Sequence, residues 1–285
     1  PGYWVSRVAA SPHQAGKAYL TYTGYRRDDF RPFIYVTEDF GETWKDISSN
    51  LPDEPINVVR QDRHNPDLLF VGTEMGVYVS FNDGGQWQSL RGDMPTNAVH
   101  DLLVHPREQD LVVATHGRGI FIANVMHLQE MTPEVMAQDL HLYRVRPKVQ
   151  WISTGDNNSS YNNFNGESDP LGLEIYFHSK TDRDTAQMQI LQGNIVLNEM
   201  AVPVKAGMNK VVWDMQKRQR ERTDREKQQM MNRIERWRAF ASPEQIQSMM
   251  ANIDYIMTDA GPGSYTIQLT IDGQTLSTNG QILLD

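Results

Sequence analysis

The chain has 285 residues, of which 36 are acidic and 27 are basic, so its formal net charge is −9 at pH 7. A chain of this length can form two domains, each with its own hydrophobic core. The negative charge argues against non-specific nucleic-acid binding by the whole surface. The absence of cysteine excludes disulfides, thiolate metal sites and cysteine nucleophiles.

Three consecutive segments, which begin near Val5, Ile56 and Val99, repeat one pattern at intervals of about 40–50 residues. Each segment has an alternating strand, a turn with proline, an apolar strand and a second hairpin. The pattern predicts four-stranded blades of a β-propeller over residues 1–128. Because propellers usually close with about four to eight blades, we expect N-terminal blades from the same precursor or from a separate chain.

Two octapeptides, at residues 37–44 and 80–87, each follow a strand of the first two blades and share the pattern S/T-x-D/N-x-G-x-x-W. The Asp or Asn side chain can hold a tight turn by bonding backbone amides, and glycine supplies the positive φ. We expect the tryptophan to fold back over the turn as an apolar lid. The residues given this structural role are Thr37, Asp39, Gly41, Trp44, Ser80, Asn82, Gly84 and Trp87.

These octapeptides resemble the Asp-box, or BNR, repeat of bacterial sialidases, other glycoside hydrolases and the ectodomains of sortilin-type (VPS10-like) receptors. In those families the box stabilises a turn at the periphery of a blade, in enzymes and in non-enzymes. The resemblance therefore implies an architecture and not a reaction.

Residues 25–32 carry closely spaced charges and lengthen the second hairpin of the first blade. Such a loop can bind a polar ligand or a peptide at a propeller mouth, or it can be pinned by its own Arg–Asp ion pairs. Asp28 and Asp29 are a poor acid–base pair for glycoside hydrolysis, because adjacent strand residues point to opposite faces. The candidate ligand-binding residues in this loop are Arg26, Arg27, Asp28, Asp29 and Arg31.

A second candidate is the turn at residues 115–119, where His116 precedes Gly117 and Arg118 lies between Gly117 and Gly119. Arginine beside exposed amides suits an anion or a carboxylate, although the same turn can simply close the blade by bonding carbonyl groups. The histidines of the blades lack metal-ligand spacing, and no calcium loop, zinc motif, P-loop or G-x-S-x-G motif occurs. We therefore predict no metal and no cofactor, and we assign no catalytic residue.

Residues 129–150 are predicted to be a linker with a short helix that starts at Thr132 and Pro133. Short alternating strands predict an Ig-like β-sandwich over residues 151–285, with a polar loop at 154–170. An insertion at about 215–258 has two amphipathic segments, 217–240 and 242–256, which predict a helical hairpin. The fold class is thus all-β: a partial β-propeller followed by an Ig-like sandwich with an inserted helical hairpin.

The segments 207–214 and 261–267 resemble the C-terminal Ig-like module of flagellar hook-capping proteins, with Trp213 and Tyr265 as core aromatics. With the Asp boxes and the turn at 115–120, the layout is similar to large secreted bacterial sortilin-like proteins, often labelled BNR-repeat glycosyl hydrolases. The resemblance implies a protein that is secreted, periplasmic or on the cell surface.

These observations lead to a first hypothesis of a non-catalytic binding or scaffold portion that recognises peptide, protein or glycan at a propeller face. The alternative is a sialidase- or glucanase-like glycoside hydrolase whose catalytic residues lie mainly in other blades. A third hypothesis is a subunit of a cell-envelope complex that docks through the helical hairpin. No transmembrane segment is predicted, because no apolar run reaches about 18 residues.

Overall fold

The computed structural model describes residues 2–92, 94–150, 171–238, 240–241, 246, 249–250 and 252–284. The chain divides into two compact units, Pro1–Gln138 and Asp139–Asp285, and this boundary falls inside the predicted linker. Antiparallel sheets dominate both units, and the predicted fold class is confirmed. Among the described helices, none is long and apolar enough to cross a membrane.

The first unit contains three antiparallel sheets whose strands follow one another in chain order. The first sheet consists of β1 (Trp4–Ala10), β2 (Ala18–Gly24), β3 (Asp29–Thr37) and β4 (Lys45–Asp46). The second sheet consists of β5 (Ile56–Gln61), β6 (Leu69–Thr73), β7 (Val77–Ser80) and β8 (Gln88–Ser89). The third sheet consists of β9 (Val99–Val104), β10 (Asp110–Thr115) and β11 (Ile120–Asn124).

The third sheet has three strands within the described residues, so the prediction of a fourth strand there was wrong. After β11 the chain turns into the short helices α1 (Met126–Gln129) and α2 (Pro133–Ala137). Helix α1 is held at the second sheet, because the Gln129 side chain donates to the Asp62 carboxylate at 2.7 Å in a buried contact. Thr132 caps α2 as its sequence predicts, since its hydroxyl accepts from the Val135 amide.

The second sheet is covered on both faces and is therefore apolar on both. All five residues of β6 are buried. One face packs with Tyr19 and Ile34 of the first sheet, and the other packs with Leu102 and Val113 of the third. A strand that is buried on both sides has an almost continuous apolar sequence in place of an alternating one, which is the pattern seen at Leu69–Thr73.

The strands β1, β5 and β9 begin at the same end of their sheets. The Ser6 hydroxyl donates to the Ile56 carbonyl at 2.7 Å, so the starts of β1 and β5 are adjacent. Gly72 leaves no room for a side chain, because a Cβ there would lie 2.6 Å from Cγ1 of Val99, at the start of β9. We call this the proximal end. The turns that contain the two octapeptides lie at the opposite end, which we call the box end.

Charged side chains also tie these three first strands together. Arg7 of β1 and Arg60 of β5 both donate to one carboxylate oxygen of Asp101 in β9, at 3.0 and 2.9 Å. Arg60 also donates from Nε to the Leu102 carbonyl at 2.7 Å, and burial lowers the pKa of its guanidinium. The three sheets are thus joined by polar bonds as well as by apolar packing.

The two octapeptide turns share one set of hydrogen bonds. In the first turn, the Gly41 amide donates to the Thr37 hydroxyl and the Thr43 amide donates to Asp39, both at 2.9 Å. In the second turn, the Gly84 amide donates to the Ser80 hydroxyl at 2.9 Å, and the Gln86 amide donates to Asn82 at 2.8 Å. Asn82 takes the place of Asp39 without loss of the bond to the amide four residues further on, because that bond uses a side-chain oxygen that both residues have.

The two tryptophans of these turns have different environments. Trp44 is 41% exposed and donates to the Gly41 carbonyl of its own turn at 3.1 Å, as a lid over the turn. Trp87 is 3% exposed. Its indole N–H donates at 2.8 Å to the carbonyl of Ile47, which directly follows β4 of the first sheet. Asn50 bonds both the amide and the carbonyl of Trp87 at 2.8 Å. Trp87 therefore joins two sheets and does not simply cover its own turn.

The second unit is a sandwich of two sheets around one core. One sheet has the order β12 (Leu140–Leu142), β14 (Leu173–Ser179), β17 (Gly207–Trp213). The other has the order β13 (Lys148–Gln150), β21 (Gln274–Leu284), β20 (Gly263–Ile271), β15 (Arg183–Gln192), β16 (Ile195–Val204). Trp213 and Tyr265 are core aromatics as predicted, with their rings edge to face and 5.2 Å apart.

The insertion differs in part from the predicted helical hairpin. Residues 217–221 were predicted to be helical, and this was wrong: β18 (Gln216–Glu221) pairs antiparallel with β19 (Tyr255–Asp259), which supplies its backbone partners. Helix α3 (Asp224–Trp237) then begins at a capping box formed by Thr223 and Glu226. The predicted second helix falls largely on residues outside the described ones, as does the predicted loop at 154–170.

The two tryptophans provide a matched test of the contact between sheets. We expect Trp87→Ala to lower the free energy of unfolding of the full chain by about 3–5 kcal/mol, the cost typical of removing a buried aromatic side chain. Trp44→Ala should cost about 1 kcal/mol or less, because its ring is partly in water. Urea denaturation monitored by circular dichroism measures both, and equal losses would contradict the role given to Trp87.

Candidate functional site

All seven candidate ligand-binding residues predicted from the sequence lie at the proximal end of the first unit. Five belong to the turn between β2 and β3 or to the first residues of β3. The other two, His116 and Arg118, belong to the turn between β10 and β11. These turns are on the first and third sheets, so the second sheet lies between them.

Asp29 is engaged in the loop itself. Its carboxylate accepts from Nη2 of Arg31 at 2.7 Å, from Nε of Arg31 at 3.0 Å and from the Tyr3 hydroxyl at 2.7 Å. The bonds from Arg31, followed by that from Tyr3, hold the pKa of Asp29 well below its usual range. The Asp29–Arg31 pair thus pins the loop, which agrees with the structural interpretation of these two residues.

Arg26 lies in an exposed aromatic cluster. Its guanidinium is 5.3 Å from the ring centroid of Trp4 and 5.7 Å from that of Tyr25, and both rings are exposed. Cation–π contacts of this kind orient the arginine while its remaining N–H groups stay available to a ligand. The Arg27 guanidinium fills the space beside Gly2. Asp28 is exposed, has a φ of 56° and ends the 3-10 turn Tyr25–Arg27.

The turn between β10 and β11 presents stacked imidazoles. The rings of His116 and His100 are 5.0 Å apart at an angle of 25°, and Asn97 donates to the His116 carbonyl at 3.0 Å. Arg118 is exposed, and the flanking Gly117 and Gly119 have φ of 76° and 87°. Among the residues that the structure describes, no group of three His, Asp or Glu side chains is placed to hold a metal ion.

A pocket at the proximal end of the second sheet was not found from the sequence. Its volume is about 250 Å³. Its lining combines one carboxylate, one guanidinium, three hydroxyl groups and an apolar side chain. The lining residues are Glu54, Met75, Gly76, Tyr78, Ser89, Arg91 and Thr96.

Two hydroxyl groups orient the carboxylate of this pocket. Glu54 accepts from the Thr73 hydroxyl at 2.6 Å on one oxygen and from the Tyr78 hydroxyl at 3.1 Å on the other. Burial, and then the charge and hydrogen bond of Glu54, raise the pKa of Tyr78 to about 12, although the charge of Arg91 acts in the opposite direction. At neutral pH Tyr78 is therefore a donor, and each Glu54 oxygen keeps a lone pair for a ligand.

The pocket was not predicted from the sequence because its groups come from three separate parts of the chain. Glu54 precedes β5, Tyr78 lies in β7, and Arg91 follows β8. None of these positions is part of a motif. A charged residue next to a proline, as at Glu54 and Pro55, is the one local signal that could have drawn attention to it.

Comparison with family models and with curated proteins finds no match. Solved structures that resemble the chain include an ancestral GH74 enzyme, with 22% identity and a TM-score of 0.33 over 40% of this chain and 14% of that one. The GH74 enzyme of Niastella koreensis has 15% identity and a TM-score of 0.35, over 64% of this chain and 27% of that one.

The extracellular domain of BT4673 from B. thetaiotaomicron also resembles the chain, with 13% identity and a TM-score of 0.33. The alignment covers 98% of this chain and 31% of that domain. This chain thus spans less than a third of the length of each of these three structures. At these TM-scores the similarity assigns neither an activity nor a ligand to the chain.

The Tyr78–Glu54 contact predicts a particular pH dependence. A tyrosine with a raised pKa in the folded state contributes stability that is complete below its unfolded pKa near 10 and is lost as the pH rises towards 12. The stability difference between the wild type and Tyr78→Phe should therefore be constant up to about pH 10 and shrink above it.

Ultraviolet difference titration between these two proteins checks the assignment, because it isolates one phenol. Glu54→Gln is the control and should move the pKa of Tyr78 part of the way back, since burial remains the larger cause. A Tyr78 phenol that titrates near 10 in the folded wild type would contradict the described contact.

Proposed function

We propose that residues 1–128 are terminal blades of a propeller that further blades complete, and that the proximal end binds a peptide, protein or glycan without catalysing a reaction. One observation carries the proposal: exposed arginine and aromatic side chains and a polar pocket meet at the proximal end. At the box end, Thr37, Asp39, Ser80 and Asn82 accept hydrogen bonds from amides of their own turns.

The outer face of the first sheet supports the existence of a covering blade. Cross-strand pairing places Val5 beside Tyr22, and Val8 beside Leu20, on the face turned away from the second sheet. Val8 is 61% exposed. Paired residues of an antiparallel sheet share one face, so these side chains form one apolar surface.

The third sheet has a similar outer face. Val112 pairs with Leu103 on one side and with Ile122 on the other, and Ile122 is 67% exposed. The second sheet, which has a neighbour on each side, leaves no such apolar surface in water. Further sheets of the same kind, packed as the second sheet is packed, would cover both surfaces.

The first octapeptide supports the same interpretation. Its Phe40 occupies the position of Asp83 in the second octapeptide, and Asp83 bonds Tyr19 of the preceding sheet at 2.6 Å. Phe40 is 84% exposed, and Trp44 beside it is half exposed where its counterpart Trp87 is buried. An additional blade before the first sheet would give both aromatic side chains a partner.

We further propose that the protein acts outside the cytoplasm, in the periplasm, at the cell surface or in the medium. The layout that resembles secreted sortilin-like proteins supports this location. The absence of cysteine is compatible with an exported protein that does without disulfides.

Binding at the proximal end is tested with the full chain on immobilised peptide and glycan libraries. The double variant Arg26→Ala/Arg118→Ala removes two exposed cations at that end and should weaken binding of a retained ligand by at least about tenfold, or about 1.4 kcal/mol. The matched control Lys45→Ala/Arg63→Ala removes two exposed cations at the box end and should leave binding unchanged.

Equal losses in both double variants would contradict a site at the proximal end. Release of sugar from a glycan by the full chain would contradict the non-catalytic part of the proposal and would favour the hydrolase alternative.

A further inference from the structure

We infer that the pocket of the second sheet binds one neutral saccharide ring of a glycan ligand. This inference rests on the proposed function, because it names the ligand class for a subsite at the proximal end. The four groups that carry it are Glu54, Arg91, Tyr78 and the space beside Gly76.

The charges of the pocket favour a neutral polar ligand. Glu54 brings a negative charge and Arg91 a positive one to the same lining. A cationic ligand attracted by Glu54 is opposed by Arg91, and an anionic ligand attracted by Arg91 is opposed by Glu54. A sugar hydroxyl is both a donor and an acceptor, so neighbouring hydroxyl groups can donate to the carboxylate and accept from the guanidinium.

The carboxylate is already oriented for this task. Each oxygen of the Glu54 carboxylate accepts one hydrogen bond, from the Thr73 hydroxyl at 2.6 Å and from the Tyr78 hydroxyl at 3.1 Å. These two bonds fix the plane of the carboxylate. The lone pairs that remain can accept two adjacent hydroxyl groups of one ring. A polar group that is held in place before binding loses less conformational freedom when the ligand arrives.

The rest of the lining suits the apolar side of a sugar ring. Met75 is exposed and Tyr78 offers part of its aromatic ring, so C–H groups of the ligand have partners. The volume of about 250 Å³ lies below the range of about 300–1,000 Å³ that is usual for drug-sized ligands. The pocket therefore accommodates one ring, and the remainder of a glycan would extend over the proximal end.

Gly76 provides a direct way to close this space. A Cβ at Gly76 would meet no atom within 4 Å, and its φ is outside the left-handed region. A larger side chain at this lining position therefore meets no clash at Cβ and is expected to occupy space in the pocket. The neighbouring Gln88 offers a control, because it pairs with Val79, whereas the lining residue Ser89 pairs with Tyr78.

The experiment measures binding of methyl glycosides of neutral hexoses to the full chain by saturation-transfer NMR and calorimetry. An uronic acid, an amino sugar and a zwitterionic amino acid serve as competing probes. We expect the neutral glycosides to bind best, Gly76→Leu and Glu54→Gln to weaken their binding at least tenfold, and Gln88→Ala to leave it unchanged. Arg91→Ala should weaken binding in the same way. Because Arg91 is exposed, this variant is expected to fold normally, so it tests the site even if Gly76→Leu has a folding defect.

Stronger binding of the amino acid or of either charged sugar than of the neutral glycosides would overturn the ligand class. Undiminished glycoside binding in both Gly76→Leu and Arg91→Ala would overturn the site. In that case the proposed function would still stand if Arg26→Ala/Arg118→Ala reduced binding, so the two failures are distinguishable.

Discussion

The contact on which the first unit depends is the insertion of the second octapeptide turn into the preceding sheet. Trp87 is buried there and donates to the Ile47 carbonyl, while Asp83 bonds Tyr19 at 2.6 Å and Lys17 at 2.5 Å. Burial, followed by the hydrogen bond to Asp83, raises the pKa of Tyr19, so its hydroxyl remains a donor. These bonds fix the box end of two sheets, and the Ser6–Ile56 bond fixes their proximal end.

Because consecutive sheets are held at both ends, the same connections of each sheet come to the same side of the unit. The turns after β2, β6 and β10 meet at the proximal end, where arginine, aromatic and hydroxyl groups are exposed. The turns after β3 and β7 use polar side chains for hydrogen bonds within the turn and, through Asp83, to the preceding sheet. One end therefore maintains the architecture, and the other has the free polar groups that a binding surface needs.

The sequence predicted the elements that depend on local patterns and not those that depend on distant partners. Strand alternation and the two octapeptides were sufficient for the first two sheets, for the three strands of the third sheet and for the turn hydrogen bonds, although the fourth strand expected in the third sheet is not formed by the described residues. The strand at Gln216–Glu221 was mistaken for helix because its partner, Tyr255–Asp259, lies more than 30 residues along the chain. Trp87 could not be distinguished from Trp44, since only the packing of two sheets separates them.

The same reasoning applies to the candidate site. The charged turns were visible in the sequence, but their position at a common end followed only from the register of β1, β5 and β9. The pocket formed by Glu54, Tyr78 and Arg91 joins side chains that have no sequence relation to one another. Local sequence patterns can therefore identify candidate binding residues, whereas the formation of a pocket depends on how the sheets pack.

The central claim is that further blades cover the two outer faces of the first unit. Hydroxyl-radical footprinting of the protein from its native source, compared with this 285-residue chain alone, tests it most directly at Val8, Trp44 and Ile122. The account predicts that all three side chains are reactive in the chain alone and protected in the native-source protein. Equal reactivity in both would contradict it, and the first unit would then have to be regarded as complete with three sheets.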